Sequence, residues 1–74
     1  MIEQVKELLG KQLNLDPATI DDDASILDDL GADSLEVVEM LMTIESEFGL
    51  VVPDDDVPEL KTVRAVADYI QSHI

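Results

Sequence analysis

The sequence predicts an all-α fold, a small four-helix bundle with three main helices and one short helix. Apolar residues recur at helical spacing in three segments, and residues that begin or end helices flank those segments. The only strand candidate, residues 50–53, has no second strand pattern with which to pair. With 74 residues, the chain is expected to form one domain over residues 1–74, near the lower size limit for a core without cross-links.

The first helix is predicted over about residues 2–13, and its apolar face is expected to supply core. Gly10 is expected to weaken this helix, because glycine is a poor helix former. Asp16 and Pro17 have the form of a cap and a first helical residue, which predicts a single turn. The long loop that follows needs apolar residues to hold it against the core, and the candidates are Leu15, Ile20, Ile26, Leu27 and Leu30.

The second helix is predicted to begin after Asp33 and to end at Gly49. The Asp33 side chain can accept hydrogen bonds from free N–H groups, Glu36 follows three residues later, and glycine favours a helix end. Ser34 therefore lies in the first helical turn. One face of this helix forms a core stripe of Val37, Met40, Leu41, Ile44 and Phe48.

A second apolar stripe lies about 130° around the same helix and consists of Leu35, Val38 and Met42. Glu39 and Glu45 flank it. Other helices of the bundle could cover this stripe, or it could be a surface that binds a partner. Apolar contact would then supply affinity while the acidic rim steers encounter.

Two further helical segments complete the predicted fold. The acidic run at residues 54–56 offers caps for a short, mobile helix through Leu60, in which Pro58 is tolerable only in the first turn. Thr62 can cap a final helix that leaves Asp68 and Gln71 outside. Its predicted core stripe is Val63, Val66, Ala67, Ile70 and Ile74.

The chain is strongly acidic, with a formal net charge of −14. The only basic residues are Lys6, Lys11, Lys61 and Arg64, so 15 of the 18 acidic residues lie in a span without positive charge. Such a surface repels nucleic acid and anionic membranes, and it favours basic protein partners. No leader and no apolar run of roughly 18 residues is present, which predicts a chain that is neither secreted nor membrane-embedded and is compatible with the cytoplasm.

Enzymatic and metal-binding roles find little support. Ser34 lacks a G-x-S-x-G setting, and the only histidine, His73, lies next to the terminus, so serine-hydrolase chemistry is not expected. An EF-hand loop starting at Asp21 fails, because Ile26 and Ala32 stand where glycine and glutamate are required. We expect no dedicated metal site. Weak divalent binding is expected at residues 21–23, 28–29 and 54–56.

Ser34 has two interpretations. It can be an ordinary polar residue of a first turn. Alternatively, a phosphoester on its oxygen would lie beside free backbone N–H groups at the positive end of the helix dipole, where phosphate is favoured.

The segment Leu30-Gly31-Ala32-Asp33-Ser34-Leu35-Glu36, with the acidic helix through Phe48, resembles the attachment motif of acyl carrier proteins. The resemblance extends to residues 53–56 and to the Thr62-Val63 helix start. It is closest to the discrete carriers of bacterial-type fatty acid synthesis. It implies that a phosphopantetheinyl transferase (holo-synthase) attaches 4′-phosphopantetheine from coenzyme A to Ser34, and that the chain is a carrier of acyl thioesters and not an enzyme.

The resemblance also implies which surfaces are used. Partners with Lys and Arg patches, namely fatty acid synthesis enzymes and acyltransferases, would meet a docking face of Asp33, Leu35, Glu36, Val38, Glu39, Met42 and Glu45. The interior that receives the acyl chain would be lined by Val37, Met40, Leu41, Ile44 and Phe48. The chain is expected to act as a monomer.

Departures from the family pattern leave other roles open. The apolar run 50–52 and Pro58 are unusual, and they are compatible with a specialised carrier for a polyketide, lipid-modification or D-alanine pathway. A rival from another class is an unmodified acidic module that binds basic proteins through Leu35, Val38 and Met42.

Overall fold

A computed structural model describes residues 1–74 and contains three α-helices. They are α1 (Ile2–Leu13), α2 (Ser34–Phe48) and α3 (Val63–His73), with two 3₁₀-helices at Pro17–Thr19 and Asp54–Glu59. Helix α1 packs against both α2 and α3. The only β-type pairing is one isolated bridge between Ser25 and Thr62. The predicted all-α fold with three main helices and a short one is therefore confirmed.

One apolar core joins the helices and the long loop. No polar or charged side chain is buried in it. Helices α1, α2 and α3 contribute most of the core, and the loop and the residue that follows the second 3₁₀-helix contribute the rest. The buried apolar residues are Val5, Leu9, Ile20, Ala24, Ile26, Ala32, Met40, Ile44, Leu60, Val63, Val66, Ala67 and Ile70.

The end of α1 depends on a close approach between the helix and the following segment. Asn14 adopts a left-handed conformation with φ 59°, and the N–H of Leu15 donates to the Gly10 carbonyl at 2.8 Å. A Cβ atom on Gly10 would lie 2.7 Å from the Leu15 oxygen and 2.9 Å from Cγ of Pro17. Gly10 is thus required by packing, a role that its poor helix propensity does not reveal.

The long loop is attached to the start of α3 by backbone hydrogen bonds. The Ile26 N–H donates to the Lys61 carbonyl at 2.9 Å, and the Val63 N–H donates to the Ala24 carbonyl at 3.1 Å. These bonds satisfy buried polar groups of the loop without a regular sheet. They hold the segment that leads into α2 at a fixed position against α3.

Ion pairs hold the same loop to two helices. Asp22 pairs with Lys6 of α1, and Asp23 accepts a hydrogen bond from Nε of Arg64 in α3 at 2.7 Å. The hydrogen bond from Arg64 and its positive charge lower the pKa of Asp23, and the hydrogen bond to Asp23 and its negative charge raise the pKa of Arg64. Two of the four basic side chains therefore bind this loop, and no acid of α2 takes part in a salt bridge.

Two of the predicted loop anchors are wrong. Ile20 and Ile26 are buried and Leu30 packs against the core, but Leu15 is 38% exposed and Leu27 is 57% exposed. Leu27 lies on the outside of a turn in which the Leu30 N–H bonds back to the Ser25 carbonyl at 3.0 Å. The two alanines Ala24 and Ala32 are buried instead, because their small side chains let the hydrogen-bonded backbone approach the core.

Helix α3 follows its prediction except at its end. Thr62 accepts a hydrogen bond from the Ala65 N–H at 3.1 Å, which confirms the cap. Of the predicted core stripe, the first four residues are buried, but Ile74 is 64% exposed. Ile74 was wrongly predicted because α3 ends at His73 and the last residue lies beyond the packed turns.

The short third segment is a 3₁₀-helix, Asp54–Glu59, and Pro58 is its fifth residue. The expectation that Pro58 must lie in a first turn is wrong, since it assumed α-helical geometry. Tyr69 Oη donates to the Asp56 carboxylate at 2.7 Å and ties this segment to α3. The hydrogen bond to Asp56 and desolvation raise the pKa of Tyr69 to about 12. Residues 50–53 form a loop, as predicted.

Candidate functional site at the N-terminal end of α2

Ser34 is held at the surface by a buried neighbour. Gly31 has φ 70°, a left-handed conformation that glycine adopts without strain. Ala32 follows it with only 5% exposure, and its N–H donates to the Ile26 carbonyl at 3.1 Å. With Ala32 fixed against the core, Asp33 and Ser34 lie exposed at the start of α2.

The first turn of α2 is capped in a way that leaves donors free. Oδ1 of Asp33 accepts from the Glu36 N–H at 2.9 Å, and the Asp33 carbonyl accepts from the Val37 N–H at 3.0 Å. The cap predicted at Asp33 is confirmed, as is the end at Gly49, which has φ 66°. The N–H groups of Ser34 and Leu35 have no protein acceptor among the hydrogen bonds. An exposed hydroxyl beside free donors, at the positive helix end, suits a phosphodiester.

Helix α2 presents two different apolar faces. Met40 and Ile44 of the core stripe are each 1% exposed, and Val37, Leu41 and Phe48 pack partly buried against the core. The second stripe faces solvent, with Leu35 66%, Val38 50% and Met42 63% exposed. The alternative that other helices cover it is therefore wrong. An uncovered apolar strip beside Ser34 is the geometry that a docking surface needs.

The acids around the exposed stripe are free of internal ion pairs. Glu39 and Glu45 are exposed and Glu36 is half-buried. All three salt bridges of the fold use Asp22 or Asp23 as the acid. The negative charge on α2 is therefore available to cations outside the chain. No three His, Cys, Asp or Glu side chains are placed to hold a metal ion.

A contact that was not predicted from the sequence positions this helix. Nε2 of Gln12 donates to the Glu36 carbonyl and joins the end of α1 to the first turn of α2. The Gln12 Oε1 atom is buried without a partner. The two residues are 24 positions apart, and no local pattern indicates that they meet.

A cleft beside α2 was also not predicted. It lies between α1 and α2 and has a volume of about 540 Å³. Of the five residues predicted to receive an acyl chain, only Phe48 lines it. The cleft is also lined by Glu7, Leu8 and Lys11 of α1 and by Glu39 and Glu47 of α2.

Comparison with known proteins identifies the family. Residues 3–70 match the family model described as a phosphopantetheine attachment site. The chain belongs to the acyl carrier protein family. Among curated relatives, the acyl carrier protein of Bdellovibrio bacteriovorus is 48% identical over 68 residues, which are 92% of this chain and 87% of the relative. That of Zymomonas mobilis is 42% identical over 71 residues, 96% of this chain and 91% of the relative.

Solved structures agree with this assignment. The acyl carrier protein of Enterococcus faecalis, studied for its high thermal stability, is 33% identical with a TM-score of 0.82, covering 99% of this chain and 92% of that one. A Mycobacterium tuberculosis protein named as a candidate acyl carrier protein is 25% identical with a TM-score of 0.89, and each chain is covered completely.

Family membership establishes the general role. This acyl carrier protein is a carrier rather than an enzyme, and its prosthetic group is 4′-phosphopantetheine. Its partners in general are a phosphopantetheinyl transferase and the enzymes of fatty acid synthesis. None of its helices is long and apolar enough to cross a membrane.

Proposed function

We propose that Ser34 is the residue that carries 4′-phosphopantetheine. The single observation that carries this proposal is the exposed Ser34 at the capped start of α2, beside two N–H groups without acceptors. In the transfer, the Ser34 oxygen forms a bond to the phosphorus nearest the pantetheine of coenzyme A. The bond to the departing nucleotide breaks, and the hydroxyl proton is released. The chain itself supplies the acceptor oxygen and a favourable helix dipole.

We infer that enzymes bind the docking face of α2. Its apolar centre is Leu35, Val38 and Met42, and the exposure of all three supports contact with a partner. None of the acidic rim residues takes part in an internal ion pair, and these residues are Asp33, Glu36, Glu39 and Glu45. Lys and Arg patches on the transferase, on fatty acid synthesis enzymes and on acyltransferases have the matching charge.

We propose that the interior face of α2 receives the acyl chain. Val37, Met40, Leu41, Ile44 and Phe48 all face the core. The core contains no buried polar side chain and no buried aromatic ring, so a flexible apolar guest can displace flexible side chains such as Met40. The hydrogen bond from Tyr69 to Asp56 joins the short 3₁₀-helix Asp54–Glu59 to α3. This short helix can move when the core repacks around an acyl chain.

We place the carrier in fatty acid synthesis, in the cytoplasm, as a monomeric single domain over residues 1–74. The family match over residues 3–70 supports the single domain, and the names of the curated relatives support the carrier role. The alternative is that the carrier serves a polyketide, lipid-modification or D-alanine pathway, and the experiment described next distinguishes these pathways.

The test is intact mass spectrometry after incubation with coenzyme A, magnesium and a broad-specificity phosphopantetheinyl transferase. We expect a gain of one phosphopantetheine on the wild type and none on Ser34→Ala. A modified Ser34→Ala would place the attachment elsewhere, and an unmodified wild type would favour the acidic interaction module. Loading of the product with malonyl, amino-acyl and D-alanyl donors then assigns the pathway, since loading only by an adenylating amino-acid ligase would overturn the fatty-acid role.

A further inference from the structure

The cleft between α1 and α2 has a lining unlike that of an apolar ligand pocket. Its volume of about 540 Å³ is within the usual range for a ligand site, but only Leu8 and Phe48 among its nine lining residues are hydrophobic. Three carboxylates, Glu7, Glu39 and Glu47, line it together with one cation, Lys11. The remaining lining residues are uncharged and polar. An apolar molecule would bury charged groups here at a cost, whereas a cation would gain attraction.

The charges of the cleft are not neutralised within the fold. None of Glu7, Glu39, Glu47 and Lys11 takes part in an ion pair within 4.0 Å. The cleft therefore carries a formal charge of −2, since three acids face one lysine. Positive charge from outside the chain is the matching chemistry.

The apolar part of the cleft narrows the choice of cation. Phe48 is half-buried and Leu8 is half-buried, so both expose some apolar surface to the cleft. The guanidinium of arginine stacks on aromatic faces and binds carboxylates in a planar, two-bond geometry, and its methylenes pack on apolar surface. Lysine presents a compact, strongly hydrated charge and matches this combination less well.

The cleft adjoins the docking face, because Glu39 belongs to both. We propose that the α1–α2 cleft receives an arginine side chain of a partner enzyme that docks on α2. This inference rests on the proposed docking function and extends the interface from α2 to α1. Glu7 and Glu47 are the acids that belong to the cleft alone, because neither is part of the docking face.

The experiment measures amide chemical shifts of the isotope-labelled carrier during titration at fixed ionic strength. The probes are Nα-acetyl-arginine methylamide, its neutral isostere Nα-acetyl-citrulline methylamide, and the corresponding lysine compound. We expect the arginine probe to give saturable shifts at the amides of Leu8, Thr43 and Phe48. The citrulline probe should give none, and the lysine probe should bind more weakly.

Charge-matched variants separate the cleft from general electrostatic attraction. We expect the double variant Glu7→Gln/Glu47→Gln to bind the arginine probe about fivefold more weakly. The control is the double variant Asp55→Asn/Glu59→Gln on the second 3₁₀-helix, which should bind the probe as the wild type does. Lys11→Gln should strengthen binding about twofold, but Lys61→Gln should leave it unchanged.

Three results would overturn the proposal. They are shifts spread evenly over the acidic surface, equal binding of citrulline or lysine, and equal effects of the cleft and control variants. Folding of every variant is checked by its amide spectrum. Because the titration uses unmodified protein, its failure leaves the mass-spectrometric test of Ser34 unaffected, and the two proposals fail separately.

Discussion

Replacement of Gly10 by alanine is expected to destabilise this carrier, against the usual effect of that change in a helix. In an open helix interior, Gly→Ala stabilises by about 0.5–1 kcal/mol. Here the new Cβ would lie 2.7 Å from the Leu15 carbonyl oxygen and 2.9 Å from Cγ of Pro17. The first contact is with backbone, so a side-chain rotation cannot relieve it.

The size of the effect follows from what must move. Overpacking of a tight site costs about 1–3 kcal/mol. Displacement of the segment 14–17 also weakens the 2.8 Å hydrogen bond from Leu15 to Gly10, worth about 1 kcal/mol. After the gain in helix propensity is subtracted, we expect a net loss of about 1–3 kcal/mol. For a chain of this size, that corresponds to a fall in Tm of roughly 5–20 °C.

The assay is urea unfolding followed by circular dichroism at fixed pH and salt. Ser46→Ala, at an exposed position inside α2, is the control and should be neutral or slightly stabilising. Pro17→Ala removes one of the two contacts, so Gly10→Ala should cost less in that background. If Gly10→Ala is as stable as the wild type, the close approach of residues 15–17 to α1 is not a constraint, and the reasoning fails.

Four further predictions concern stability. Tyr69, with its pKa raised from 10.0 to about 12, must stay protonated to donate to Asp56; its contribution is complete below pH 10 and is lost as pH rises through 12. Urea unfolding across that range should show this loss in the wild type and not in Tyr69→Phe. Asp33→Ala should cost about 1 kcal/mol in the same assay through loss of the bond to the Glu36 N–H, whereas Asp33→Asn should retain most of it. Ser34→Ala should change the free energy of unfolding by less than about 0.5 kcal/mol, and a larger loss would mean that Ser34 is structural. Magnesium or moderate salt should raise Tm by screening the net charge of −14, and an unchanged Tm would show that repulsion does not strain the fold.

The parts of the fold that were predicted correctly depend on neighbours within a few residues. Asp33 caps α2, Gly49 ends it and Thr62 caps α3, and each role follows from one side chain or one conformation acting on an adjacent turn. The two faces of α2 were also predictable, because helical geometry alone separates Met40 from Met42. The predictions that Ile74 and Leu27 pack against the core were wrong, because the apolar character of a side chain does not determine whether another residue covers it.

The sequence by itself determined the helical class, the boundaries of α1 and α2, the start of α3, the place of Ser34 at a helix start and the acidic character of the surface. These depend on local spacing and on summed charge, which the order of residues contains directly. Tertiary structure decided which apolar stripe of α2 stays exposed, why Gly10 must be glycine, and that Lys6 and Arg64 bind the loop and leave the acids of α2 unpaired. It also brought α1 and α2 together to form the charged cleft. The Gly10 requirement depends on how residues 15–17 fold back against α1, and the others depend on contacts between segments far apart in the chain. Contacts of the second kind exist only after the core has assembled.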